Sequence, residues 1–297
     1  MQEKHAKWLT GCGIGCAAVV ALVVAIGVGA YYAARDVVRD FEKVEKTTSS
    51  VDKAYGEAGD YRPDPDGRIP PERIQAFLAV RGRTLKAREE FRQAVDGLRA
   101  ASSHKEHGVR EGFKAVRSAL GIPRLVGQLY SDRANALLEN EMGFGEYLYI
   151  YSLAYYSLLK KDPGDGPEDL NVADGHTFSV DKHDSSEAVR ETHRSQAVAQ
   201  VHHLFTDILG NALEPGREVT PEKAPDADTE RPPASRPDSE WRRAVEKELE
   251  ALNSNWGRIP WQDGLPKQIE ESLAPFRAEL EASYDPTMNV LEFGQAR

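Results

Sequence analysis

The residues best placed to do chemistry come first: "LTGCGIGC", residues 9–16, carries both cysteines of the chain and four overlapping motifs. Leu9-Thr10-Gly11-Cys12 has the form of a lipidation box. That box needs its apolar region before the cysteine, and here the apolar run follows Cys12. Gly13-x-Gly15-x-x-Ala18 has the form of a dinucleotide fingerprint, which requires a preceding strand and a surrounding βαβ unit. Only eight mostly polar residues precede Leu9, so that context is missing. Cys12 and Cys16 stand four apart, without the two-residue spacing and further ligands of metal or thiol-exchange sites. The fourth motif, Gly11-x-x-x-Gly15, is a close-packing motif of membrane helices. It is the reading that fits.

The segment that must position it is residues 9–34, which contain no charged side chain. As a helix these would span roughly 39 Å at about 1.5 Å per residue, and about 20 apolar residues suffice to cross the hydrocarbon core. Trp8 marks one end and Tyr31 and Tyr32 the other, as interfacial aromatics do. The expectation is a single transmembrane helix. A cleaved signal peptide ending at Val28-Gly29-Ala30 is the alternative, but its apolar region normally runs about 7–15 residues. At about 100° per residue, Gly11, Gly15, Ala18, Ala25, Gly29 and Ala33 fall within an arc of about 80°, interrupted only by Leu22. Since 15 of the 26 residues are Gly, Ala, Cys or Thr, six small residues on a face of seven is a modest excess. The face permits self-association. Lys4 and Lys7 precede the helix and Arg35, Arg39, Lys43 and Lys46 follow it. By Lys and Arg alone that favours a cytoplasmic distal side, whereas a short basic tail before a long apolar run suits a signal-anchor that leaves the bulk outside. The second is the expectation: an inner-membrane anchor with the bulk of the chain periplasmic or extracellular.

Beyond the membrane, Val37, Phe41, Val44, Thr48, Val51 and Tyr55 follow a 4-3-4-3-4 spacing. This is a coiled-coil seam of under three heptads, its register displaced by about one residue from the small-residue face. Residues 35–55 therefore read either as a self-associating stalk or as an amphipathic helix lying on the chain's own domain.

The rest sorts by composition. Residues 56–71 hold four prolines and three glycines and read as a linker. Residues 72–161 form the first part of a helical domain. Its first helix starts at Pro70-Pro71 and carries Ile74, Phe77, Leu78, Leu85, Phe91, Val95 and Leu98 to about residue 100. A second, with Val109, Phe113, Val116 and Leu120, is expected to stop at Gly121 and Pro123. A third starts at Leu125 and passes Leu138. Tyr147–Leu159, "YLYIYSLAYYSLL", is 13 uncharged residues with five of the 11 tyrosines. It is too short to cross a bilayer and reads as a core helix edged with hydroxyls, or as the wall of an apolar or amphipathic ligand site. Residues 162–185, with six aspartates, read as a flexible acidic loop. A calcium loop needs acids at positions 1, 3 and 5 and Gly at 6; starting at Asp165, position 3 is Pro167 and position 6 is Leu170. Residues 186–213 read as a helix with Val189, Ala197, Val201, Leu204, Phe205 and Ile208 inward. Its His193, His202 and His203, like His104 and His107, have no recognisable ligand set and read as surface histidines.

Residues 214–238, with six prolines and 11 charges, read as a disordered linker. In 239–297, a helix capped at Ser239 bears Trp241, Val245, Leu249 and Leu252. A last one from Pro266 carries Ile269, Leu273, Phe276, Leu280 and Tyr284, with a kink at Pro275. Gly67-Arg68-Ile69-Pro70 recurs as Gly257-Arg258-Ile259-Pro260, each expected to precede a helix.

Net charge is −10, of which residues 1–34 carry +1, so the remaining 263 residues carry −11. A chain this acidic lacks the basic face that nucleic acid requires. No phosphate loop, HExxH, nucleophile elbow or triad spacing is present, and neither a cofactor nor a metal is expected. "PPERIQAFLAVR" (70–81), "MGFGEYLYIYSLAYY" (142–156) and "SLAPFRAELEASYDP" (272–286) resemble uncharacterised bacterial envelope proteins with one N-terminal membrane helix or lipid anchor and a helical domain. That resemblance implies a bacterial source and no particular activity. The expectation is an all-α, single-pass protein: tail 1–8, membrane helix, helical stalk, then a multi-helix bundle-like domain with two disordered segments. Its partners would be the bilayer, a second copy through membrane helix and stalk, or an envelope protein. It would be a structural or interaction protein and not an enzyme.

Overall fold

A computed structural model describes residues 44–103, 109–167, 171–173, 177–179, 186–213 and 239–294. They form an all-α body with one three-residue antiparallel strand pair. The membrane segment 9–34 with its small-residue face, Val37 and Phe41 of the seam, His104, His107 and the linker 214–238 lie outside the described residues. Among the described residues, no helix is long and apolar enough to cross a membrane.

α1 (44–55) is amphipathic. Val44 and Val51, two turns apart, are both buried in cores made by later elements, and Tyr55 stays 37% exposed. From Val44 onward, then, the seam faces its own domain, the second of the two readings. The segment 56–71, expected as a linker, is also seated. Its 3-10 turn Ala58–Asp60 is closed by Glu57 N–H donating to Asp60 Oδ2 at 3.0 Å. Ala58 and Ile69 are buried, and Tyr61 packs on Tyr149 with ring centroids 5.4 Å apart. Prolines and glycines mark its turns correctly but do not free it from the core.

α2 (Pro71–Arg83) and α3 (Leu85–Ser103) were expected as one helix. They break at Thr84, whose hydroxyl turns back on the Val80 and Arg81 carbonyls at 3.3 and 3.1 Å, a local bond that competes with helix propagation. Leu85 is left 59% exposed and the inner stripe resumes at Ala87, Phe91 and Val95. α4 (Val109–Glu139) runs straight through Gly121 and Pro123, where a stop was expected. An interior proline costs about 3 kcal/mol. Burial of Ile122, Val126, Leu129 and Tyr130 against Phe91 and Val95, at about 1.5–3 kcal/mol per large apolar side chain, outweighs it. Val44, Met288 and Leu291 complete this smaller core.

The larger core is centred on α5 (Phe144–Tyr151), which widens into a π-helical stretch, Ser152–Leu158. Every residue from Tyr147 to Leu158 is buried. β1 (Asn171–Ala173) and β2 (Thr177–Ser179) pair antiparallel. The first residues of the supposed flexible loop are docked on α6 (Ser186–Leu213): Asp162 accepts from Arg190 and Arg194 at 2.7 Å each. α6 buries all six expected inward residues. It also buries His193 and His202, which corrects their reading as surface groups; His203 alone of the three is exposed.

α7 (Ser239–Ser254) places Trp241, Val245 and Leu252 inward as expected. α8 (Lys267–Leu273) and α9 (Arg277–Ser283) are separated by a 3-10 turn, Ala274–Phe276, at the expected Pro275. The tetrapeptide echo does not fold twice. Gly67 adopts φ +74° beneath the Trp241 ring, and Pro70 leads into α2. Gly257 has no such φ, and Pro260 is followed by Trp261 at φ +48°, which cannot open a helix. The chain then closes with a 3-10 segment, Pro286–Leu291, inserted between the two cores.

Candidate functional site

Residues 70–81, 142–156 and 272–286 converge on one buried polar cluster, which α4 and the C-terminal segment complete. α2 delivers Arg81, seven residues after Ile74 and four after Phe77, on the helix's inner face. α4 delivers Arg133 in the same way, four residues after Leu129. Arg81, Arg88 and Arg133 are 1%, 3% and 2% exposed. Glu292 takes Arg81 on one carboxylate oxygen. On the other it accepts Arg133 Nη1 at 3.0 Å and the Tyr147 hydroxyl at 2.9 Å. Arg81 also donates to Tyr147 Oη at 3.1 Å and to the Ser283 carbonyl at 2.8 Å. Its guanidinium lies 5.4 Å from the Tyr151 and Tyr155 ring centroids, and Arg133 stands 5.2 Å from that of Tyr130, distances at which cation and ring attract.

A second hub is Asn289. Its Oδ1 accepts the hydroxyls of Tyr151 and Tyr156 at 2.8 and 2.7 Å, and its Nδ2 donates to the Pro163 and Asp165 carbonyls at 2.7 and 3.2 Å. Tyr284 donates to Asp165 Oδ2 at 2.9 Å, and Tyr155 meets Ser283 Oγ at 2.7 Å. Reaching these partners depends on the π-helical widening, which changes the register of Tyr155 and Tyr156 relative to Tyr151. Asn289→Leu should leave two buried phenols and two carbonyls without partners. At about 1–3 kcal/mol per unsatisfied group, partly relieved by relaxation, we expect a loss of about 2–4 kcal/mol, read as a lowered urea midpoint at unchanged m-value.

The electrostatics suit holding and not proton transfer. Burial alone would raise the Glu292 pKa, but the Arg81, Arg133 and Arg88 charges and the Arg81 hydrogen bond together draw it below the ordinary range. Burial and the Glu292 charge push Tyr147 up to about 12, against the opposing pull of Arg81 and Arg133. Burial raises Tyr151 and Tyr156 as well. A general acid or base works best with a pKa near the operating pH, and these groups are displaced away from it on both sides.

Two other features bear on binding. A groove of about 800 Å3 runs between the 57–60 turn and α6, lined by Glu57, Asp60, Ala199, His203, Asp207 and Asn211. Asn211 Nδ2 ties helix to turn by donating to the Gly59 carbonyl at 2.8 Å, and His203 pairs with Asp207 at 3.0 Å. The lining chemistry suits cationic groups. Further along α6, His202 Nε2 contacts the Leu252 carbonyl at 2.9 Å, and the ring is stacked 4.4 Å beneath Trp256, which is 71% exposed. Among the described residues no group of three His, Cys, Asp or Glu side chains is placed to hold a metal ion.

Of the stalk seam, Val44 and Val51 are core, Thr48 is half-buried and Tyr55 is half-exposed beside Gly143, while Val37, Phe41 and the small-residue face lie outside the described residues. The cluster was missed. Its one signal was a charged residue in register with an apolar stripe: Arg81 after Ile74 and Phe77, Arg133 after Val126 and Leu129. Glu292 and Asn289 carried no such signal. Comparisons with protein-family models, with curated proteins and with solved structures gave no match.

Proposed function

We propose that this chain is a membrane-anchored structural or interaction protein of the bacterial envelope, displaying a helical body from a single N-terminal membrane helix. The observation that carries the reading is the charge-free run of residues 9–34 ahead of a separate helical body. Two further points support it. Four buried ionisable groups, Arg81, Arg133, Tyr147 and Glu292, are joined through Glu292 and hold four parts of the chain together. The acidic distal chain disfavours nucleic acid as partner. The small-residue face Gly11, Gly15, Ala18, Ala25, Gly29 and Ala33 would let two copies approach, while Val44 and Val51 are occupied within the domain and are unsuited to a seam between copies.

Carbonate extraction of cell membranes tests the anchor. The full chain should remain in the pellet, and a chain lacking 9–34 should be released; release of the full chain overturns the reading. A reporter fused after Arg297 should be active only outside the cytoplasm. For self-association, Gly15→Cys with Cys12 and Cys16 replaced by Ser should give a disulfide-linked dimer in membranes. A strictly monomeric product removes that part of the proposal.

A further inference from the structure

Buried arginines outnumber their counter-charges in the cluster. Glu292 serves both Arg81 and Arg133. The next carboxylate, Asp285, is held by Arg92 at 2.7 Å. Arg88 is left, among the described residues, with no carboxylate in ion-pairing range. Its two terminal nitrogens donate only to backbone carbonyls, those of Ser283 at 3.1 Å and of Arg81. The Nε–H groups of both Arg81 and Arg88 are buried and have no acceptor. Nearly all buried donors in folded proteins are bonded, and exceptions commonly mark an ion or water. A guanidinium cannot shed its proton to escape burial, and an uncompensated buried charge costs several kcal/mol. A water molecule would satisfy the donors and leave the charge.

We propose that Arg81 and Arg88 bind a small monovalent anion of the halide class through their Nε–H groups. The donor geometry selects the class. Carboxylates and phosphates are gripped by the paired nitrogens of one guanidinium fork. Here the two terminal nitrogens of Arg88 already donate to carbonyls, and the Nε–H of each arginine is the donor left without an acceptor. Single donors from two side chains suit a spherical acceptor. The anion would supply the negative charge that neither Glu292 nor Asp285 has to spare, where the start of α3 meets the end of α9.

The detergent-solubilised full chain tests this. Chlorine-35 line broadening should appear with the protein and be displaced by bromide. Thermal midpoints at matched ionic strength should rise saturably with chloride or bromide over gluconate. Arg88→Gln should abolish both halide effects while keeping the helical circular dichroism; the broadening experiment on the unmodified chain stands even if that variant does not fold. In crystals grown with bromide, an anomalous peak should contact Arg88 Nε. No chloride broadening, equal midpoints in gluconate and chloride, or halide effects that persist in a folded Arg88→Gln chain would each overturn the proposal. So would a bromide peak without any halide dependence of stability, which is an adventitious ion only.

Discussion

Replacing Glu292 with Gln should cost the helical body about 3–5 kcal/mol, the usual penalty for removing one partner of a buried ion pair. The amide keeps the side chain's shape. It removes the one negative charge that Arg81 and Arg133 share, and it puts an NH2 group where one of the Arg81, Arg133 and Tyr147 donors now finds an oxygen. For a body of this size about 2–4 °C is lost per kcal/mol, so the thermal midpoint should fall by roughly 10 °C. The effect should not add to that of Arg81→Met. With both changed, the loss should be well short of the two separate losses combined, because residues in one network couple. Additive losses would mean that Arg81 and Glu292 act independently, against the geometry.

The same substitution makes a prediction about acid. The Glu292 pKa in the folded chain lies below its ordinary 4.5. A carboxylate depressed on folding adds stability above its unfolded pKa, and that contribution is lost as pH falls through the folded value. Unfolding free energy of the parent chain should therefore decline below about pH 4.5, and the Glu292→Gln chain should show a shallower decline over the same interval. Parallel curves would contradict the depressed pKa.

What could be read in advance follows from how local each determinant is. The inward stripe of α6, Val189 through Ile208, and the break at Pro275 depend on helical periodicity and a missing N–H, and both are visible in any single window of sequence. The run through Pro123 is not, because the energy that tolerates it comes from Phe91 and Val95, about 30 residues away. The break at Thr84 rests on one hydroxyl choosing the Val80 and Arg81 carbonyls over solvent, a choice open to many threonines that do not break helices. The tyrosines of α5 were legible as buried, whereas their acceptors on Asn289 and Glu292 lie more than 130 residues later. Glu292 sits between Leu291 and Phe293, and nothing at that position announces a buried charge.

Gly145→Ala should be among the most damaging single-methyl changes in the body, and its effect should reach the α6 groove. A Cβ at Gly145 would lie 2.2 Å from the Ala58 carbonyl oxygen and 2.6 Å from Tyr61 Cβ. Neither obstacle is the free end of a flexible side chain. The 57–61 segment must therefore lift off α5, which disturbs the Tyr61–Tyr149 contact and the Asn211 bond to Gly59. Overpacking of this kind costs about 1–3 kcal/mol and sometimes more, and contact with backbone puts it at the upper end. Hydrogen exchange at residues 57–61 should rise more than at α7. Gly121→Ala is the matched control. Nothing lies within 4 Å of its added Cβ, and alanine is favoured over glycine in a helix interior by about 0.5–1 kcal/mol. The same chemical change should thus destabilise at residue 145 and stabilise at residue 121. If both lowered stability alike, the close approach of the 57–61 turn to α5 would not be what holds the groove wall in place.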